Sequence, residues 1–141
     1  MKNIIRIIIA AIVMSFSLMS CNHNRSILFT DDNFVRMFSE IYIDYEDYLE
    51  NEIIIEGVFT KSVIDENTYF MVVRYASGVC EHHEYEPIGF EIDIDEDIES
   101  YENKWVRVTR ELSVYYENES PILFISNPVI ELIGDKGDPY I

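Results

Sequence analysis

The sequence is poor in the residues that cross-link a small domain and in basic residues. It has two cysteines, Cys21 and Cys80, among 141 residues, so a framework of several disulfides is excluded. Lysine and arginine together number 10, against 27 aspartates and glutamates. The resulting formal net charge of −17 opposes binding to nucleic acid or anionic lipid head groups, because both require positive charge.

Long hydrophobic runs are also scarce. The N-terminal run covers Ile7 to Leu18, whereas a membrane-spanning helix needs about 20 apolar residues. Lys2 and Arg6 precede the run, and polar residues follow it from Asn22 onward. A basic start, a short apolar middle and small residues near a cleavage site predict a secretory signal peptide and disfavour an uncut transmembrane anchor.

Cys21 is the predicted site of lipid attachment. The preceding Ser20 and its neighbours resemble a lipobox, where bacterial signal peptidases cut a diacylglycerol-modified cysteine. We expect a signal peptide over residues 1–20, a lipid-anchored tether over 21–29 and one domain over 30–141. Two or three acyl chains, palmitate among them, would hold this domain outside the cytoplasm at a bacterial membrane.

The pattern after the tether predicts one helix. Thr30 to Asn33 offer side-chain oxygens for the free N–H groups of a first helical turn, and the acids among them favour the positive end of the helix dipole. Apolar residues then recur at helical spacing, at Phe34, Met37, Phe38 and Ile41.

From Glu52 onward the pattern favours short strands. Apolar and β-branched residues dominate six segments, which are 52–60, 68–75, 87–92, 105–112, 122–125 and 129–133. Gly57 inside the first segment predicts a bulge or sharp bend. A closed sheet removes exposed strand edges. We therefore predict a mainly β fold, a small OB-like barrel of five to six strands with an N-terminal helix.

One short segment contains metal-ligand chemistry. Cys80-Glu81-His82-His83-Glu84 offers thiolate, imidazole and carboxylate groups, a set that favours zinc or another soft metal over calcium. We regard Cys80, His82, His83 and Glu84 as candidate ligands. The alternative is a polar loop with a half-buried cysteine, because the segment lacks the separated ligand pairs of a zinc finger.

The sequence lacks the common catalytic, phosphate-binding and zinc-protease motifs. There is no Gly-x-Ser-x-Gly, no glycine-rich phosphate loop and no His-Glu-x-x-His. The acidic run from Asp93 to Glu99 lacks the ligand order of an EF-hand and is better explained as a solvated loop. We expect that the protein is not an enzyme.

Several short motifs resemble the C-terminal soluble domain of the YcgQ-like permease-subunit family, whose function is unknown. They occur in the family's order: Asn33-Phe34, Asp47-Tyr48-Leu49, Ile53-x-Ile55-x-Gly57-x-Phe59, Arg74, Cys80, Pro87-Ile88-Gly89-Phe90, Trp105-Val106-x-Val108-Thr109 and Asp138-Pro139-Tyr140-Ile141. The resemblance implies a domain that works beside a membrane permease.

Two departures separate the chain from that family. The family has a double cysteine before the Pro-x-Gly motif, whereas Glu81 follows Cys80 here. Family members usually carry transmembrane helices ahead of this domain, where this chain has the predicted lipid anchor. We expect a membrane-anchored, non-enzymatic accessory domain that works with a permease and binds a soft metal. The alternative is an extracytoplasmic module that binds a protein or a glycan without metal.

Overall fold

Strands dominate the computed structural model of the protein, which describes residues 25–77, 85–94 and 98–141. The strands are β1 (Ser26–Leu28), β2 (Glu52–Ile64), β3 (Asn67–Ser77), β4 (Tyr85–Ile92), β5 (Trp105–Glu117), β6 (Ser120–Ile125) and β7 (Val129–Leu132). Helix α1 spans Phe34–Ile43, and two 3-10 turns span Tyr45–Asp47 and Glu99–Tyr101. The predicted mainly β fold is confirmed.

Five of these strands form a closed barrel. Their order is β2-β3-β4-β6-β5, and β5 pairs back onto β2. All these pairings are antiparallel except the β4–β6 pair, which is parallel. One parallel pair within a five-stranded antiparallel barrel is the OB arrangement that the sequence predicted. The short strands β1 and β7 extend the sheet beyond the barrel.

Alternate residues of each strand fill the barrel interior. Paired positions such as Phe59 with Val72, Val72 with Phe90, and Leu112 with Ile125 are buried on both strands. Because successive side chains in a strand point to opposite faces, this register sends one apolar set inward. The core is therefore built by the period-two pattern visible in the sequence.

Two glycines allow β3 to cross close to its neighbours. A Cβ on Gly57 in β2 would lie 2.6 Å from the carbonyl oxygen of Val73. A Cβ on Gly89 in β4 would overlap the carbonyl oxygen of Val72. The bend predicted at Gly57 is thus a site of close backbone approach. The β2–β3 pairing is limited to residues 67–73 of β3, and the rest of β3 separates from β2.

Helix α1 covers the core through an aromatic cluster. Phe34 and Ile41 are fully buried, and Phe38 packs with its ring centroid 5.4 Å from that of Phe90. The helix begins where predicted, but no side chain caps its first turn. Asn33 instead accepts the Thr30 N–H at 2.8 Å and donates to the Leu28 carbonyl at 3.2 Å, so it closes the preceding turn.

The structure adds two edge elements that the sequence pattern did not predict. Strand β1 lies within the predicted tether and pairs in parallel with β2. At the other end of the chain lies a segment of residues 137–141, here named the strap, whose Tyr140 bridges to Tyr75 of β3. Within the described ranges, no helix has the length and apolar character needed to cross a membrane.

Candidate binding site

Arg74 is the one charged side chain among the buried residues of the described chain. It lies at the point where β3 separates from β2 and is 5% exposed. Its guanidinium carbon is 4.8 Å from the ring centroid of Trp105 and 5.8 Å from that of Phe34. Contacts of a cation with ring faces at these distances are favourable and hold the planar group in place.

The hydrogen bonds of Arg74 join three parts of the chain. Its Nη1 donates to Asp31 at 2.7 Å, in the turn before α1. Its Nε donates to the Pro139 carbonyl at 3.2 Å, in the strap. The Asp31 side chain is 80% exposed, so water screens this ion pair on one side. Arg74 therefore connects the N-terminal segment, the barrel and the strap.

The strap binds the barrel mainly through backbone groups. The Tyr75 N–H donates to the Pro139 carbonyl at 3.0 Å, and the Ile141 N–H donates to the Tyr75 carbonyl at 2.8 Å. Trp105 Nε1 donates to the Gly137 carbonyl at 3.3 Å. Pro139 and Ile141 therefore bond to β3 as in an added parallel strand, whereas Gly137, with a φ of 87°, departs from strand geometry.

A groove of about 600 Å³ lies beside the strap. Val58 and Trp105 line one part of it, and Leu132 and Ile133 line another. Gly137 borders the groove without filling it, since a Cβ at this position would meet no atom within 4 Å. The groove is therefore open and only partly covered by the chain, and its lining combines these apolar side chains with Asn103, Lys104 and Asp135.

A second cleft, of about 540 Å³, lies between the N-terminal segment, β2 and β5. Leu28, Ile54 and Thr109 contribute uncharged surface to it, and the same cleft contains Arg74, Arg107, Glu56 and Asp31. Arg107 donates from Nε and Nη2 to Glu56, at 2.9 and 2.6 Å. The cleft therefore contains two ion pairs, Arg74 with Asp31 and Arg107 with Glu56.

Glu56 links this cleft to the segment before the strap. Its second carboxylate oxygen is 3.2 Å from the Lys136 ammonium. Burial of Glu56 opposes its ionisation, but the hydrogen bonds from Arg107 and Lys136 outweigh burial and lower the pKa of the carboxyl below its usual 4.5. Glu56 is therefore ionised at neutral pH and helps to hold Lys136 against the barrel.

The barrel face that carries Tyr115 has different chemistry. The Tyr115 hydroxyl donates to Glu91 at 2.9 Å. Burial and this hydrogen bond raise the pKa of Tyr115 far above its usual 10.0. The tyrosine is therefore a neutral hydrogen-bond donor at neutral pH.

The predicted lipid and metal-ligand residues lie outside the described residues. This applies to Cys21 and to Cys80, His82, His83 and Glu84. The strands on either side of segment 78–84 are described, and their terminal residues Ser77 and Tyr85 are paired. Within the described residues there is no group of three or more metal-ligand side chains.

Tyrosine rings lie beside these paired strand ends. The ring centroid of Tyr140 is 4.3 Å from that of Tyr85 and 5.4 Å from that of Tyr75. The strap therefore reaches the barrel end where segment 78–84 connects β3 to β4. The site at the strap is therefore next to the strand ends Ser77 and Tyr85.

The motif residues of the sequence converge at this site, which residue-by-residue analysis did not predict. Gly57 and Gly89 permit the β3 crossing, Trp105 and Pro139 contact Arg74, and Tyr140 lies on Tyr75. A single arginine in a strand pattern gives no sign of burial by itself. The only available signal was its place among the shared motifs.

These features define a class of protein, a small OB-type barrel whose crossing strand is covered by an arginine-anchored strap. The chain belongs to the family described as the DUF1980 C-terminal domain, which matches residues 12–141. This membership is consistent with the resemblance to the YcgQ-like family. Neither the curated proteins nor the solved structures gave a significant match to the chain.

Proposed function

We propose that the protein is a lipid-anchored, extracytoplasmic binding domain that acts as an accessory unit of a membrane permease. The observation that carries the proposal is the position of β1, which begins at Ser26, five residues after Cys21. An extended chain spans at most about 3.6 Å per residue. Lipid on Cys21 would hold the barrel within roughly 20 Å of the membrane surface, within reach of the extracytoplasmic part of a permease.

The structure of the barrel supports a binding role. Its interior is filled by apolar side chains, so a ligand has to bind on the outside. The groove beside the strap and the charged cleft lined by Arg74 are both open to solvent. Trp105, which lines the groove, contacts Arg74. Small-molecule and peptide sites commonly combine apolar walls with a few fixed polar groups in this way.

Lipid attachment is tested by labelling cells with a palmitate analogue. The wild-type protein should carry the label and sediment with membranes. Cys21→Ser should lose both properties, whereas Cys80→Ser is the matched control and should keep both. Labelling that persists in Cys21→Ser, or a wild-type protein that remains unlabelled, would contradict the proposed anchor.

A soft metal is the second part of the proposal. The supporting observation is the pairing of Ser77 with Tyr85, which brings together the two ends of the segment that contains Cys80, His82, His83 and Glu84. Metal binding would assign this segment a role beside the permease. Without it, the protein would be a module that binds a protein or a glycan through its barrel surface.

Zinc uptake by the full chain in detergent separates these two alternatives. The wild-type protein should bind zinc stoichiometrically, and a Cys80→Ser/His82→Ala variant should lose that binding. A variant with His23→Ala is a matched control, because His23 lies outside the candidate segment. Uptake that is unchanged in the double variant would reduce zinc binding to adsorption on the acidic surface.

A further inference from the structure

The strap occupies an edge of β3 that the barrel leaves open. Strands β2 and β3 pair only up to Val58 with Val73, because β3 crosses over Gly57 and leaves β2 there. Beyond that point the N–H and carbonyl of Tyr75 face the strap and are satisfied by Pro139 and Ile141. An open edge of this kind is a template for an added strand.

Hydrogen-bond donors on the barrel bind carbonyl groups of the added strand. The Pro139 carbonyl accepts hydrogen bonds from both Tyr75 and Arg74, and the Gly137 carbonyl accepts one from Trp105. Arg74 is fixed between two rings and is buried. The edge therefore offers prearranged donors to the carbonyls of an extended chain, whatever the source of that chain.

The strap fills this edge incompletely. Gly137 leaves the adjacent groove of about 600 Å³ empty, although Trp105 and Val58 line it. Tyr140 lies on Tyr75 and Tyr85 but remains 46% exposed. Gly137 has a φ of 87°, which residues with a side chain rarely adopt. A chain that passes this point in an extended conformation would place a side chain toward Leu132 and bury more apolar surface than the strap does.

We propose that this edge is a recognition site for an extended peptide with a proline–aromatic–aliphatic pattern, and that the strap occupies it until a partner's segment displaces it. Recognition occurs by strand addition, in which backbone hydrogen bonds give affinity and neighbouring pockets give specificity. The pattern follows from the strap itself, in which Pro139, Tyr140 and Ile141 make the contacts with Arg74, Tyr75 and Tyr85. The inference goes beyond the membrane-anchored function and does not depend on it.

Competition between the strap and a free peptide provides the test. A segment on a short flexible linker has an effective concentration in the millimolar range. A free peptide should therefore bind weakly to the wild-type protein and more tightly once the strap is weakened. The probe is a fluorescent peptide with the sequence of residues 133–141, added to the full chain in detergent.

The proteins compared are the wild type, a Tyr140→Ala/Ile141→Ala variant and a Tyr116→Ala control. Tyr116 is an exposed tyrosine on β5, away from the strap. We expect the double variant to bind the peptide about tenfold more tightly than the other two, as expected when a tethered competitor is removed. Amide hydrogen exchange should also show that the peptide restores protection of the Tyr75 N–H in the double variant.

A second probe tests the proposed geometry. N-methylation of the peptide at the position of Ile141 removes the donor that bonds to the Tyr75 carbonyl, and it should abolish the gain in affinity. Equal affinities for all three proteins would overturn the proposal, as would undiminished binding of the methylated peptide. Neither readout involves lipid or a permease, so a failure here is distinguishable from a failure of membrane anchoring.

Discussion

Helix α1 and the strap both cover the barrel, but by different kinds of contact. The helix buries Phe34 and Ile41 completely and places Phe38 against Phe90. The strap contributes carbonyls to Arg74, Tyr75 and Trp105, while much of Tyr140 stays exposed. The helix is held mainly by apolar burial. The strap is held mainly by hydrogen bonds, with Ile141 as its side chain packed against the core.

This difference determines whether helix α1 or the strap can be displaced by a competing peptide. Burial of a large apolar side chain stabilises a fold by about 1.5–3 kcal/mol, and a competitor can match it only by the same shape. A hydrogen bond contributes about 1 kcal/mol net, and any extended backbone can supply the same groups. The helix is therefore a permanent part of the core, whereas the strap is suited to replacement.

The largest loss of stability is expected for a substitution in helix α1. Phe34→Ala removes a ring that is 1% exposed and packs 5.2 Å from Phe29, and should lower the free energy of unfolding by about 3–5 kcal/mol. Val35→Ala is the control, since Val35 is 47% exposed, and should change it by less than about 0.5 kcal/mol. Urea denaturation measures both, and similar losses for the two variants would contradict the assigned role of α1.

The next largest loss of stability is expected where β4 approaches β3 closely, at Gly89. Gly89→Ala would force a Cβ against the Val72 carbonyl and should cost about 1–3 kcal/mol of stability. The matched control is Gly134→Ala, because a Cβ at Gly134 meets nothing within 4 Å. Thermal unfolding compares the two variants, and an unaffected Gly89→Ala would show that β4 can move away from β3 at little cost.

The smallest expected effect is a loosening of the strap, but not of helix α1, when the pH is lowered. The lowered pKa of Glu56, caused by Arg107 and Lys136 against the opposing effect of burial, means that its carboxylate stabilises the folded state. That contribution is complete above the unfolded pKa near 4.5 and is lost as pH falls through the lower folded value. Acid should therefore release Lys136 and loosen the strap before it affects α1.

Trp105 reports this change, since it is the only tryptophan and donates to the strap at Gly137. Its fluorescence should change below about pH 4.5 in the wild type, and Glu56→Gln should remove that step. Glu131→Gln is the control, because Glu131 makes a longer contact of 3.6 Å to Arg107 and is 59% exposed. A fluorescence step that survives in Glu56→Gln would assign the pH response to another group.

Much of the fold could be predicted because the strands obey a local rule. Alternation of apolar residues located six strands, and the glycine in β2 indicated the bend that lets β3 cross. β1 was not predicted, because three residues are too few to show a period and its pairing with β2 depends on contacts between distant segments. The helix start was predicted correctly, but its polar residues close a turn and bind Arg74 instead of capping the helix.

The candidate site was less predictable than the fold. Cys80, His82, His83 and Glu84 drew attention because their chemistry is visible in one short segment, and their role stays a prediction. Arg74, Trp105 and Pro139 are far apart in sequence and have no shared chemical signature. Their convergence depends on the barrel register and on the crossing of β3, neither of which is a property of neighbouring residues.

Composition and side-chain alternation act locally along the chain, so they specify its acidic character, its mainly β class and its small closed barrel. The burial of Arg74 between Trp105 and Phe34, and the pairing of the strap with an open edge of β3, depend instead on contacts between distant segments. A buried charge and an unpaired strand edge are satisfied by partners from anywhere in the chain. Those partners are chosen by the closed barrel, which brings the two ends of the described chain to the same arginine.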